Sequence, residues 1–314
     1  MSTAVISAGV RQDAKHKKKL PPSEIAFQVI FGILFVLAAL VCIFPFYYIL
    51  TMSISDNYQV SIGNVFLYPK GIHFDNYIKA FQTGGFFKAF QVTLARTVIG
   101  TVLTTVSSAW LGYSLSKPEF WGRKFWMRFM MITMYFSAGL IPGYMNMKNL
   151  GLLNTFWIYI IGFVSAYNMI LCKTFIESLP PSLEESAMLD GAGYLTVFWR
   201  IVFPLSKPIL ATICVFTAVG HWSSYMDTVL YIKNPDLYTL QYVLYNYINQ
   251  ATRLANMMKS GTTGGMTEEM LKRVISPRSL RMTVTMIVTL PMVFVYPFFQ
   301  QYFVKGIMVG AIKG

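Results

Sequence analysis

From Ile25 to Thr51 the chain runs without a single Asp, Glu, Lys or Arg. A helix needs roughly 20 consecutive apolar residues to cross the ~30 Å hydrocarbon core of a bilayer. In that medium every backbone N–H and C=O has to be satisfied within the spanning structure, which leaves helices and closed barrels. Comparable apolar stretches recur, and their lengths predict six spanning helices at 26–51, 89–114, 125–147, 154–176, 206–232 and 282–303. The third carries Arg128 near its start, and Gly139 and Pro142 are expected to break or kink its far end.

Composition agrees with this reading. Hydrophobic residues make up 55% of the chain and charged residues 12%, against about 25% charged in soluble domains. A soluble globule of this size has too little interior to hide that much apolar surface, so the expected fold class is an all-α polytopic membrane protein. The net charge of +13 raises nucleic-acid binding. The basic residues form no single aromatic-interleaved face, however, and several flank the apolar runs instead. That distribution points to orientation in a membrane and to no nucleic-acid partner. Cys42, Cys172 and Cys214 all lie within apolar runs, where they serve as small hydrophobes. No Cys/His spacing suggests a metal site.

Short basic loops set the orientation. Residues 1–24 form a polar, basic tail carrying Lys15-His16-Lys17-Lys18-Lys19, and the apolar run behind it is too long for a signal-peptide core. With this tail in the cytoplasm, the 115–124 loop (Lys117, Arg123, Lys124), the 177–205 loop and a C-terminal tail at 305–314 also lie inside. Outside lie 52–88, 148–153 and the long loop 233–281. That loop is also basic, but the rule weakens for long loops. The expected domain plan is therefore N-in, C-in, with a transmembrane domain over 25–304. Within 233–281, Leu240, Val243, Leu244, Tyr247 and Ile248 recur at helical spacing, predicting an amphipathic helix outside the membrane.

The 177–205 loop is the polar anomaly of the chain. Pro180-Pro181 cannot continue the preceding helix. Ser182 and Glu185 stand at capping-box spacing, residues 183–190 are expected to form a short helix, and Gly191 is placed to stop it in a left-handed conformation. Residues 194–203 predict a second short helix, with Leu195, Phe198, Trp199 and Val202 on one face. The whole reads as a helix–turn–helix elbow. By itself it reads as an interfacial connector between two spans, with a docking element as the sharper alternative.

The core of the elbow is Glu185-Ser186-Ala187-Met188-Leu189-Asp190-Gly191-Ala192, followed by Phe198, Ile201 and Pro204. It resembles the Glu-Ala-Ala loop of permease subunits in binding-protein-dependent ABC importers, with Ser186 in place of the first Ala. The tail from Gln301 to Gly314 is similar to the C-terminus of the maltose-type carbohydrate permeases, in the branch associated with complex oligo- and polysaccharides. The likeness extends over the chain from about residue 25.

This resemblance implies a type I ABC importer fold and a coupling helix seated in a cleft of an ATPase subunit. The coupling residues it implies are Glu184, Glu185, Ser186, Ala187, Asp190, Gly191 and Ala192. Glu185 would pair with a basic residue of the ATPase, Asp190 and Gly191 would shape the turn, and Ala187 and Ala192 would allow close packing. Local capping is the competing role of Glu185, and the two can coexist. The implied partners are a second, homologous permease forming a heterodimer, two ATPase subunits, an extracellular solute-binding protein, a carbohydrate and membrane lipid.

The chain has no Gly-x-x-x-x-Gly-Lys-Ser/Thr loop, so ATP and Mg are expected on the partner ATPases and no cofactor on this chain. No His-Glu-x-x-His or Gly-x-Ser-x-Gly is present, which argues against an intramembrane enzyme. A permease for a non-sugar solute, such as a peptide or amino acid, stays open from the loop alone.

Polar groups at bilayer depth are costly and face a cavity or another helix. His221, Trp222, Ser224, Tyr225 and Asp227 cluster in the fifth predicted span and are the candidate substrate path, with helix–helix glue as the competing role. Tyr135, Asn146 and Asn168 are weaker candidates. The resemblance also implies that 245–275 reaches toward the binding protein.

Overall fold

The computed structural model describes residues 21–82, 85–259 and 277–311. The expected Lys15–Lys19 tail and the whole segment 260–276 lie outside them. Contacts divide the chain into two units, up to Tyr48 and from Ile49 onward. The first is formed by most of helix α1 (Pro22–Ser53), whose apolar side chains from Ile25 to Tyr47, including Phe27, Ile30 and Phe35, are exposed. At ~1.5 Å per residue this helix exceeds the thickness of a bilayer core.

The second unit is helical as well. Two short helices, α2 (Asn57–Ser61) and α3 (Asp75–Gln82), lead to α4 (Phe86–Ser116), the central element. Then follow α5 (Arg123–Tyr135), α6 (Leu140–Asn149), a 3-10 turn at Phe156–Tyr159 and α7 (Ala166–Glu177). The elbow comprises α8 (Ser182–Leu189), α9 (Tyr194–Val197), a π-turn at Phe198–Val202 and α10 (Phe203–Leu205). After it come α11 (Lys207–Ser223), α12 (Met226–Tyr231), α13 (Leu240–Lys259) and α14 (Pro277–Ala311).

Helix α4 packs mainly against α7 and α11, α11 also meets α14, and α13 lies on α14. The reason is legible on α4 itself. Ala89, Thr93, Arg96, Gly100, Thr104, Ser108 and Gly112 form one buried stripe at helical spacing, and all but Arg96 are small. Small residues let helices approach closely where lipid supplies no hydrophobic drive for association. A Cβ on Gly100 would collide with the His221 imidazole, and one on Gly112 would lie 2.7 Å from Cys172 Cβ.

Several expected spans differ from the observed elements. The second span, expected at 89–114, lies within α4. The third is divided between α5 and α6 about Gly139, which adopts φ +87°. The fourth, expected at 154–176, is no single helix. Asn154 sits at φ +59° and the chain is irregular between Ile160 and Ser165, so only Ala166–Glu177 is α-helical. The fifth breaks at Ser224-Tyr225. Among the described residues, α1 and α4 are each long and apolar enough to cross a membrane. The segments Tyr194–Leu205 and Lys207–Ser223, bent by 77°, reach that length together. The amphipathic helix expected in 233–281 is α13. Its Leu240 and Leu244 are buried with Trp222, Val284 and Val288, while Ile248 is exposed.

Candidate coupling elbow and polar track

The elbow starts one residue earlier than its capping box predicts. Pro181 already has helical angles (φ −63°, ψ −27°), and Glu184 N–H and Glu185 N–H each donate to its carbonyl at 3.0 Å. Proline is preorganised for a helix start. Ser182 is thus the first helical residue, and neither it nor Glu185 makes the expected cap. The stop is as the sequence suggests. Gly191 lies at φ +85°, its N–H donates to Met188 O, and Ala192 N–H donates to Ala187 O, both at 3.0 Å. This pair of bonds is a Schellman closure.

The closed turn gives α8 two faces. Glu185, Ser186, Asp190 and Gly191 are exposed, and Leu189 is 89% exposed. Ala187 and Ala192 turn inward, onto a core of Tyr113, Cys172, Ile176, Val197, Phe198, Val202 and Ile213. Glu184 also points inward, to an ion pair with Lys117 at the end of α4, with both side chains more than four-fifths covered. Lys117 Nζ lies 4.7 Å from the centroid of the Tyr113 ring. At the root of the elbow Glu177 accepts from Arg123 at 2.8 Å and from Lys173 at 2.7 Å.

The second half of the elbow departs from the expected single helix over 194–203. Phe203 N–H bonds Phe198 O, one residue beyond an α-helical step. The wider turn accommodates Pro204, whose ring in a regular helix would meet the carbonyl of Arg200. The extra residue rotates the apolar stripe. Val197, Phe198 and Val202 are buried, while Leu195 and Trp199 are exposed. Phe198 anchors the elbow edge-on against Trp110, with centroids 4.9 Å apart.

The candidate path residues separate into different environments. Asp227 forms an ion pair with Arg96 of α4, a side chain only 3% exposed. Arg96 also donates to Ser224 O at 3.2 Å and stacks over the Tyr159 ring at 4.6 Å. Ser224 Oγ donates to Asp227 at 3.0 Å. The track continues from Tyr159, which donates to Leu237 O at 2.8 Å and shares a 2.9 Å hydrogen bond with Thr228. Thr228 in turn meets Thr239 at 2.9 Å. Arg96 was missed in the sequence reading, although it is the lone charge inside the second predicted span.

His221 and Asn168 come together in a cavity of about 490 Å³, which Thr104, Ser165 and Thr217 also line. Tyr225 stacks on Tyr245 at 4.8 Å, and Tyr242 and Tyr238 extend the aromatic ladder. Trp222 is a helix anchor instead. It is 7% exposed, packs in the apolar core and donates to Val288 O at 2.8 Å. Tyr135 and Asn146 are exposed and join neither the cavity nor the track.

Residues 25–309 match the family described as binding-protein-dependent transport system inner membrane component. The chain is 36% identical to the protein LplC of Bacillus subtilis (strain 168), across 87% of this chain and 90% of that one. It is 34% identical to the polygalacturonan/rhamnogalacturonan transport system permease protein YtcP of the same organism, across 91% and 97%. Among solved structures, it is similar to a chain of a bacterial ABC transporter involved in the import of the acidic polysaccharide alginate. The TM-score is 0.78 at 31% identity, covering 91% of this chain and 99% of that one. The chain belongs to the family of inner-membrane permease components of binding-protein-dependent transport systems.

Proposed function

We propose that this permease carries an oligo- or polysaccharide across the cytoplasmic membrane by alternating access, driven by two separate ATPase subunits. It does so with six spans, both termini inside, beside a second homologous permease, and takes its cargo from an extracellular solute-binding protein. The observation that carries this reading is the elbow. It exposes Glu185, Leu189 and Asp190, while Schellman bonds close its turn and the Glu184–Lys117 pair and Phe198 hold it to the bundle. A rigid lever of that kind transmits a push from a docked ATPase into α4 without doing chemistry itself. ATP and Mg then belong to the ATPase subunits.

Carbohydrate as cargo is supported by the names of the relatives, which include a melibiose/raffinose/stachyose import permease. A peptide or amino-acid cargo finds no such support. In this reading the His221–Asn168 cavity and the Tyr225–Tyr245 ladder supply the hydrogen-bonding and stacking groups that sugars require. The test is affinity purification from membranes followed by mass spectrometry and uptake assays. An ATPase and a second permease are expected with the chain, and Glu185→Lys is expected to abolish uptake. Purification without either partner, together with normal uptake in that variant, overturns the proposal.

A further inference from the structure

A cleft of about 720 Å³ opens between the loop after α4, the start of α5 and the end of α7. Its walls carry Arg123, Lys124, Arg128 and Lys173. Two of them, Arg123 and Lys173, share the carboxylate of Glu177. Lys124 and Arg128 stand four residues apart on α5, are exposed, and have no ion-pair partner among the described residues. The cleft therefore holds a local positive excess that the described residues do not neutralise.

The helix that carries these two cations buries none of its residues. Phe125, Phe129 and Ile132 are 63%, 46% and 63% exposed, with the two phenyl rings stacked 6.3 Å apart. Trp121 and Trp126 flank the same end, where indoles favour the membrane–water boundary. Unpaired cations at the mouth of a cleft, with an apolar helix running away from them, match one ligand. A phosphodiester headgroup answers the charge, and acyl chains cover the aromatic surface.

We propose that this cleft binds an anionic phospholipid, its phosphate held by Lys124 and Arg128 and its chains lying along α5. The importer reading decides only which leaflet supplies the lipid. The cleft is also lined by Arg123 and Lys173, which pair with Glu177 at the root of the elbow, so the bound headgroup forms part of the frame from which the lever projects.

The test uses the complete transporter, purified in detergent with its partner subunits. Native mass spectrometry measures retention of phosphatidylglycerol against phosphatidylcholine, and thermal scans follow stabilisation by each. The unmodified complex is expected to retain phosphatidylglycerol preferentially. The double variant K124Q/R128Q is expected to retain it roughly 30-fold less, as removal of two interfacial cations implies. K148Q, on α6 outside the cleft, is expected to behave as unmodified. Equal retention of the two lipids by the unmodified complex overturns the proposal whatever the variants do. So does displacement of the lipid by millimolar inorganic phosphate or glycerol phosphate, which would make the cleft a site for a free anion. Lipid retention is read without reference to partner identity or uptake, so the lipid proposal fails independently of the proposed function.

Discussion

Replacing Arg96 with Met tests the polar track quantitatively. The guanidinium is 3% exposed and meets Asp227, Ser224 O and the face of Tyr159. Removing one partner of a fully buried ion pair costs about 3–5 kcal/mol, because the other charge is left uncompensated. The Asp227 side chain is 35% exposed, so water recovers part of that penalty, and ~2–3 kcal/mol is the expected loss for R96M. In R96M/D227L the stranded charge is gone, and most of the loss should return. The assay is equilibrium unfolding in mixed micelles of unmodified chain, R96M, D227L and the double variant, read as a double-mutant cycle. A change below ~0.5 kcal/mol in R96M, or a double variant no more stable than R96M, refutes the reasoning, since the pair would then be no part of the folding energetics.

Other outcomes follow from the same geometry. G100L drives a side chain into the space of the His221 ring. It is expected to shift that ring and cut uptake at least tenfold while the complex still co-purifies, as measured by transport and gel filtration. K117M leaves Glu184 buried without its cation. It is expected to cost ~2 kcal/mol in thermal unfolding and to lower transport per ATP hydrolysed in proteoliposomes. G191A forces a Cβ into a φ of +85° and is expected to destabilise by about 1 kcal/mol, seen as faster protease cleavage of the elbow. W222F removes the hydrogen bond to Val288 O and should lower stability by ~1–2 kcal/mol with little change in cargo affinity.

The elbow was largely legible because its signals are local. A double proline, a glycine stop and a short amphipathic run each act within a few residues, and Gly191 does what its neighbours require. The capping box failed for a local reason too, since Pro181 starts the helix before Ser182 can cap it. The turn at Phe198–Val202 was hidden because Pro204 widens the helix instead of ending it. The surroundings of the candidate path residues were less legible because they are tertiary. Nothing near Trp222 in the chain shows that its indole reaches Val288 on α14, and nothing near Asp227 announces Arg96. The one available signal was a single arginine in an apolar span, and it asked for a partner that the sequence reading did not assign. Spans interrupted by irregular backbone were read as continuous helices, because hydropathy records where apolar residues lie and not where the backbone turns.

The central claim is that the outer face of the elbow receives an ATPase. Leu189 on the elbow and Tyr135 at the end of α5 are each 89% exposed, so a photoreactive residue at either is equally accessible before assembly. With the chain co-expressed with its transport partners and illuminated in membranes, the substitution at Leu189 is predicted to capture the ATPase subunit, and the one at Tyr135 is predicted not to. Capture from Tyr135 as efficient as from Leu189, or no capture from Leu189 in a complex that still imports its cargo, contradicts the account.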